Sequence, residues 1–358
     1  MTFNPLSIFP DTIAALLLSF ITSEPVTPEN AAPTSKPAAI EIFEQVGDAI
    51  EGSERFWSAP FVLADLESKT VVVWGDHAGM IAGDPLEFFV ISEESGHDYE
   101  ALFVSYAQPS DIHAALQQIG LTAGGPVDTD RHRFWPRGDR VSASFVFNPE
   151  GTSAPVERTA EQFCIWKGNP MPAMPWVFTG SPLLPSRDDE NELVYAADAF
   201  PPNSIASTFN LRATVFDLPL QGSKTGVYGD FILDPDWDFG EGRPMLLSLR
   251  AAAEDSFPTE VDIRLRLSKN GIDAQGMGDS DLQDLADVGA TLTKNSGSIY
   301  FITVDFQGEL SIKDATAYAR ELQLLEQVTD TIRIEPPPED QVFYKSFVPD
   351  PRFRDRQK

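Results

Sequence analysis

The sequence predicts an α+β protein with two parts: a mainly antiparallel, β-rich N-terminal domain with one packed helix, and a small α/β domain of βαβαβ order behind it. Three observations lead to this prediction. Short apolar and β-branched runs, separated by Gly, Pro and acidic loops, recur from residue 70 to residue 198. One segment, 108–121, has helical spacing. Beyond Pro258, strand-like and helix-like segments alternate.

The first strands of the β-rich domain are predicted at 70–74, 86–91 and 99–105. A short polar segment connects the last two, which favours an antiparallel hairpin. In such a hairpin, Glu87 and Glu100 would lie near opposite ends of the ladder.

The helix of this domain is predicted at 108–121. Pro109 suits the first helical position, and Asp111 favours the positive end of the helix dipole. Ile112, Leu116 and Ile119 are spaced to face the sheet, and His113 lies at the edge of that stripe. Further strands are expected at 141–147, 163–168, 176–181 and 192–198.

The smaller domain is predicted from the alternation of segments after residue 258. Strands are expected at 260–267, 299–306 and 330–334, with helices at 279–294 and 311–328 between them. This order predicts crossover connections between strands. The domain boundaries that follow are 1–37 for a signal-like segment and linker, 38–250, 258–335, and 336–358 for a Pro-rich, charged tail.

The N-terminal segment predicts export to the periplasm or the extracellular space. Residues 13–21 (IAALLLSFI) form an apolar run of signal-peptide size, followed by a spacer rich in Pro, Ala, Ser and Thr. The run is shorter than the roughly 20 residues of a membrane-spanning helix, so the mature chain is expected to have none. The run has no Lys or Arg before it; if it is not a signal, the protein is cytoplasmic.

Charge and cysteine content exclude several classes of function. The formal net charge of −29 disfavours binding to nucleic acid and to anionic lipid. Cys164 is the single cysteine, which excludes an intramolecular disulfide and an iron-sulfur cluster with its several thiolate ligands. No cofactor is predicted, and a divalent cation held by oxygen ligands is the one alternative.

Several motifs resemble those of the YdjY-type domain of bacterial cell-envelope proteins. They are GDPLEFF at 83–89, PSDIHAAL at 109–116, PWVFTGS at 175–181, YAAD at 195–198 and VFDLP at 215–219. The resemblance covers about residues 45–220 and implies a domain whose activity is not established. The C-terminal part is weakly similar to the periplasmic domain of the ExbD and TolR proteins.

Candidate catalytic residues are His97, Glu100 and His113, which could form a general-base or metal constellation if they converge. The commonest hydrolase and nucleotide-binding motifs do not occur in the sequence. The competing interpretation is structural: Glu100 forms a cap or salt bridge, and His113 donates one hydrogen bond at the edge of the core.

Two further sets of residues are candidates for binding. Trp135 and Trp237 lie in predicted loops, where an indole could stack on a ligand. The carboxylates of Asp234, Asp236 and Asp238 alternate as in the start of a calcium loop, although the later positions of that loop do not match. A solvated acidic turn is the alternative.

These observations favour a non-enzymatic binding or assembly module of the cell envelope, whose partner is another envelope protein or a glycan. The alternative is an acid/base or metal-assisted hydrolase that uses Glu100 and His113. The two functions differ in what they require. The enzyme needs His97, Glu100 and His113 to meet in a pocket, whereas the binding module needs an exposed apolar patch or an unprotected sheet edge.

Overall fold

The computed structural model describes most of the first 252 residues and six strands beyond them. The described residues are 5–29, 32–126, 136–149, 154–171, 175–189, 191–218, 224, 228–237, 239–252, 260–261, 264–269, 290–294, 300–305, 310–311 and 331–335. The chain forms two compact units: Met1–Pro126, Pro136–Pro219 and Val227–Ser256 make the first, and Val127–Trp135, Leu220–Gly226 and Phe257–Lys358 make the second.

The first unit contains four described α-helices and two short 3₁₀ turns. The helices are α1 (Asp11–Ile21), α2 (Lys36–Ile50), α3 (Pro109–Gln118) and α4 (Ala196–Ala199), and the turns are Asp98–Glu100 and Ala160–Phe163. The prediction of α3 is confirmed, with Ile112, Leu116 and Ile119 buried. The single-helix prediction is wrong, because α1 forms in the predicted signal-like segment and α2 extends from the predicted linker into the start of the β-rich domain, where no helix was predicted.

Most of the unit is strand. In chain order the strands are β1 (Phe56–Ala59), β2 (Val62–Asp65), β3 (Thr70–His77), β4 (Phe88–Ser92), β5 (Ala101–Ser105), β6 (Ala123–Gly125), β7 (Arg137–Gly138), β8 (Arg140–Phe147), β9 (Val156–Thr159), β10 (Cys164–Trp166), β11 (Asn169–Pro170), β12 (Trp176–Phe178), β13 (Leu183–Pro185), β14 (Leu193–Tyr195), β15 (Ser204–Ser207), β16 (Phe216–Asp217), β17 (Phe231–Leu233) and β18 (Pro244–Ala251).

Eight of these strands close into a mixed barrel. Its order is β3-β18-β8-β12-β16-β15-β4-β5, and β5 pairs with β3 to complete the ring. The pairs β15–β16 and β4–β5 are parallel and the others are antiparallel. The predicted β-rich, mainly antiparallel class is therefore confirmed, and closure of the strands into a barrel was not predicted.

The predicted hairpin of β4 and β5 is wrong, because the two strands run parallel. Phe88 pairs with Ala101, and Ser92 pairs with Ser105. The connection 93–100 carries the chain back to the start of β4. Glu87 and Glu100 consequently lie at the same end of the pair, where the Glu87 N–H donates to the Glu100 carbonyl at 3.1 Å.

Helices α1 and α2 cover one side of the barrel with an apolar cluster. From α1 the cluster takes Leu17 and Phe20, which are completely buried, and from β3 it takes Val72 and Trp74. Within the described residues, no helix has the length and apolar character needed to cross a membrane.

Asp76 at the end of β3 fixes the start of α2. Its carboxylate accepts hydrogen bonds from the Ser35 backbone N–H at 3.2 Å, from the Thr34 hydroxyl at 2.9 Å, and from the hydroxyls of Ser35 and Tyr106. Burial raises the pKa of Asp76 to about 6, although these hydrogen bonds oppose the rise.

The second unit contains the strands β19 (Glu260–Val261), β20 (Arg264–Lys269), β21 (Ala290–Lys294), β22 (Tyr300–Asp305), β23 (Leu310–Ser311) and β24 (Thr331–Glu335). Four of them form a sheet of order β21-β22-β20-β24, in which all neighbours are antiparallel. Strands β20 and β21 run in the same direction with β22 between them, which is a split arrangement.

This sheet corrects the βαβαβ prediction. Strands β20 and β22, which were predicted to be joined by a crossover, are antiparallel neighbours. The end of the helix predicted at 279–294 is strand β21, whose sequence Ala-Thr-Leu-Thr-Lys alternates and carries two β-branched residues. Ser311, predicted to begin the helix 311–328, lies in β23. The remainder of both predicted helices lies outside the described residues.

Candidate functional site

Three of the sequence motifs named above come together around His113. The Tyr195 hydroxyl lies 2.9 Å from His113 Nδ1 and accepts a hydrogen bond from the Ser181 N–H at 2.9 Å. Because that hydroxyl already accepts one hydrogen bond, it is placed to donate its own hydrogen to Nδ1. The remaining imidazole proton is then on Nε2, so the tautomer of His113 is fixed by Tyr195.

Two more hydrogen bonds tie the same segments together. Asp198 Oδ1 accepts a bond from the Ser110 N–H at 2.9 Å, which links α4 to the first turn of α3. The Ala197 N–H donates to the Ser181 hydroxyl at 3.0 Å. We call the five residues Ser110, His113, Ser181, Tyr195 and Asp198 the His113 cluster.

Close packing also holds the imidazole in place. The His113 ring lies 4.8 Å from the Phe178 ring, at an interplanar angle of 67°. Gly180 has φ +65°, and a Cβ at this position would lie 2.8 Å from His113 Cε1. A glycine is therefore required there for both its backbone conformation and its lack of a side chain.

The imidazole and the phenol of the His113 cluster are held uncharged. Burial lowers the pKa of His113 and raises that of Tyr195, so both side chains are uncharged near pH 7. Burial also raises the pKa of Asp198 and of Asp111, where the neighbouring Asp198 charge adds to the effect. The His113–Tyr195 pair is therefore an uncharged hydrogen-bonding pair of fixed orientation.

The structure brings two of the three candidate catalytic residues together. His97 Nδ1 lies 2.7 Å from Glu100 Oε1, just before β5 begins. His113 lies on α3, after β5 ends, and its Nδ1 is bonded to Tyr195. The arrangement therefore consists of a surface His–Glu pair and a separate His–Tyr pair.

Of the tryptophans considered for ligand stacking, Trp237 is in the core and Trp135 lies outside the described residues. Trp237 is 7% exposed, and its ring lies 4.7 Å from that of Phe163. Its indole N–H donates to His77 Nε2 at 3.0 Å. Sequence alone placed Trp237 in an exposed loop because its neighbours are Asp and Pro, but the loop folds inward on this side chain.

The described part of the acidic segment, 234–237, is a turn held by one of its own carboxylates. Asp234 Oδ1 accepts a hydrogen bond from the Asp236 N–H at 3.0 Å. Asp238 lies outside the described residues. Among the residues that are described, no group of three or more His, Cys, Asp or Glu side chains is arranged to hold a metal ion.

An exposed apolar surface adjoins the His113 cluster, on the two-stranded ribbon β13–β14. Leu183 is 60% exposed and pairs directly with Tyr195, while Leu193 is 59% exposed and pairs with the exposed Pro185. These four residues alternate with Leu184 and Val194, so they share one face of the ribbon. The sequence signal for this surface is a pair of short apolar runs on either side of an acidic loop.

Comparison with known proteins gives one family model that matches part of the chain. No curated protein and no solved structure matches it. Residues 62–193, which extend from β2 to the first residue of β14 and include His113, match the family model of the YdjY domain.

Proposed function

We propose that the protein is a non-enzymatic binding module that holds an extended polypeptide segment on the β13–β14 ribbon. The observation that carries this proposal is the pair of leucines, Leu183 and Leu193, each about 60% exposed and on the same face as Tyr195. Complete burial of one leucine side chain contributes about 1.5–3 kcal/mol, so two of them can drive association.

The His113 cluster supports this proposal because it fixes the base of the ribbon. Tyr195 is the last residue of β14 and bonds to both His113 and Ser181. An isolated two-stranded ribbon is marginally stable in water, so these bonds hold the leucines in one arrangement before a partner arrives. Such preorganisation lowers the entropy lost on binding.

A protein partner fits the described surface better than a glycan. Sugar recognition would use an exposed indole, and Trp237 is buried. The ribbon instead offers aliphatic side chains and an acidic loop with Asp188, Asp189 and Glu192, all of them exposed. A partner segment that carries basic residues among apolar ones complements both features.

The hydrolase alternative draws no support from the same geometry. It needs Glu100 and His113 to act on one substrate atom, whereas Glu100 bonds to His97 and His113 bonds to Tyr195. In the proposed binding function His113 is a positioning residue, and the His97–Glu100 pair has no part.

A role in the cell envelope, the likeness of the second unit to the ExbD and TolR periplasmic domain, and export stay predictions. The packing of α1 bears on export, since its buried side chains complete the apolar cluster over the barrel. We propose that the folded protein retains this helix, which favours the alternative in which the apolar run is not a cleaved signal.

The binding proposal is tested by selecting short random peptides on the immobilised full-length protein and measuring the affinity of the enriched peptides. We expect sequences that mix apolar residues with Lys or Arg. The double substitution Leu183→Ser and Leu193→Ser should weaken their binding by about tenfold or more, because the apolar contact is lost.

The control is Ile81→Ser, which removes a comparably exposed aliphatic side chain, 71% exposed, from the turn Ile81–Asp84 instead of from the ribbon. Binding to this variant should equal that of the wild type. Failure to enrich any peptide, or equal losses in the ribbon and control variants, would show that the ribbon is not the binding surface.

A further inference from the structure

The hydrogen-bond pattern of the ribbon shows which backbone groups face outward. The Ser186 N–H donates to the Glu192 carbonyl at 2.8 Å, and the Ala196 N–H donates to the Pro182 carbonyl at 2.9 Å. Bonded and non-bonded pairs alternate in an antiparallel ladder, so Leu184 and Val194 are the bonded pair between these two.

The residues between the bonded pairs therefore turn their backbone groups away from the partner strand. On β14 these are Leu193 and Tyr195, and on β13 they are Leu183 and Pro185. In the part of the chain that the structure describes, neither outer edge of this two-stranded sheet is paired with another strand.

The two outer edges differ in what they offer. Pro185 belongs to a non-bonded pair and has no N–H to turn outward, so this edge carries a residue type that blocks strand pairing. The outer edge of β14 has no proline and presents the N–H groups of Leu193 and Tyr195 and the carbonyl of Leu193. The edge of β14 is the better template for another strand.

Side-chain alternation along β14 defines the sequence that would fit beside it. Leu193 and Tyr195 lie on the apolar face, whereas Glu192 and Val194 lie on the opposite face. Asp189, in the loop that connects the two strands, also lies near Glu192. The Asp189 carbonyl accepts a hydrogen bond from the Glu192 N–H at 3.0 Å. An added strand would place apolar side chains beside Leu193 and Tyr195 and basic ones beside Glu192.

We infer that the outer edge of β14 accepts an extended segment of another protein as a third strand, with apolar and basic residues in alternation. This inference rests on the proposed function and names its binding mode and partner class. A second copy of the chain is a poorer occupant, because the formal net charge is −29 and the ribbon loop is itself acidic.

The probe is a synthetic peptide of alternating Val and Lys, with affinity for the full-length protein measured by titration calorimetry. In an antiparallel third strand, the valines lie opposite Leu193 and Tyr195 and exchange backbone hydrogen bonds with them. N-methylation of the valines should therefore reduce affinity by about tenfold or more, while N-methylation of the lysines should change it little.

The two peptide series separate the binding mode from the proposed function. A loss confined to the lysine series would show a parallel third strand, which also supports edge addition. Equal losses in both series, or in neither, would overturn edge addition while the ribbon surface stands. No binding of the unmethylated peptide would overturn both proposals.

A protein variant gives a second measurement. Leu193→Pro removes one outward N–H without removing a bond inside the ribbon, and Leu193→Val keeps that N–H. The proline variant should bind the peptide at least about tenfold more weakly than the valine variant. If the wild-type protein forms a dimer in sedimentation and the proline variant does not, the partner is a second copy and our choice of occupant is wrong.

Discussion

Asp217 is a carboxylic acid enclosed by protein on the barrel strand β16. It is 1% exposed, and its Oδ1 accepts a hydrogen bond from the Leu211 N–H at 3.4 Å. Its Oδ2 has no partner among the described residues. Burial raises the pKa of Asp217 to about 8, so the carboxyl group is protonated in the folded protein at neutral pH.

This burial makes stability depend on pH in a defined direction. The unfolded chain releases the Asp217 proton near its ordinary pKa of 3.8, and the folded protein releases it only near pH 8. The unfolded state therefore binds fewer protons across this range, and stability falls as pH rises. The fall due to this one group is about 1.4 kcal/mol per pH unit and ends above pH 8.

We expect Asp217→Asn to remove this fall. An amide keeps the acceptor for Leu211 and cannot ionise, so the variant should gain stability relative to the wild type as pH rises from 6 to 8. Urea unfolding at each pH gives the comparison, with the exposed Asp84→Asn as the matched control. Parallel curves for wild type and Asp217→Asn would mean that the folded protein does not hold this carboxyl group neutral.

The same residue-scale view explains what sequence could predict of the candidate site. The motifs with His113, Ser181 and Tyr195 were recognised as separate segments of a resemblance. Their contacts were not predicted, because periodicity within one segment says nothing about which distant segment packs against it. His97, Glu100 and His113 were named as candidates that could converge, and the observed contact is between His97 and Glu100.

At the scale of elements, local pattern predicted the strands and α3 but not their partners. Alternation and turn residues identify β4 and β5, yet they do not reveal whether the short connection 93–100 reverses the chain or carries it back to the same end. Helix α2 was missed although Ile42, Val46 and Ile50 recur at spacing of four, because the Pro-rich segment before it suggested a linker.

Closure of the barrel depends on a glycine in β3. Thr70–Val73 of this strand pair with β2, and Gly75–His77 pair with β5 along the same edge. A Cβ on Gly75 would lie 2.1 Å from the Val104 carbonyl oxygen and 2.5 Å from the Phe103 ring. Because Gly75 has no Cβ, β5 can approach β3 closely enough to close the barrel.

Gly75→Ala is expected to lower the free energy of unfolding by about 1–3 kcal/mol, because β5 or the Phe103 ring must shift. Gly47→Ala is the matched substitution in helix α2, where nothing lies within 4 Å of the new Cβ. It should raise stability by about 0.5–1 kcal/mol, since alanine favours helix. Urea unfolding should show a lower free energy of unfolding for Gly75→Ala and a higher one for Gly47→Ala. Equally small changes in both variants would show that the β3–β5 pair does not require a glycine at position 75.

At the scale of the whole molecule, the first helix connects fold to localisation. Its sequence has the length and apolarity of an export signal, and for that reason the sequence alone predicted a signal peptide that is removed from the mature protein. In the structure α1 contributes four buried side chains: Ile13, Leu17, Phe20 and Ile21. At about 1.5–3 kcal/mol for each buried side chain, their contribution is comparable to the 5–15 kcal/mol that stabilises an ordinary domain.

We therefore expect deletion of residues 2–22 to abolish cooperative unfolding of the first unit, since Val72 and Trp74 would lose their cover. Leu17→Asp should destabilise the full-length protein by at least about 3 kcal/mol, because it buries an unpaired charge. Ala15→Asp, on the exposed side of the same helix, should cost less than about 0.5 kcal/mol.

N-terminal sequencing of protein from its native host should find α1 intact. A folded, native protein that begins near residue 22 and unfolds at the same urea concentration as the full-length chain would show that α1 is a signal and that the barrel is stable without it.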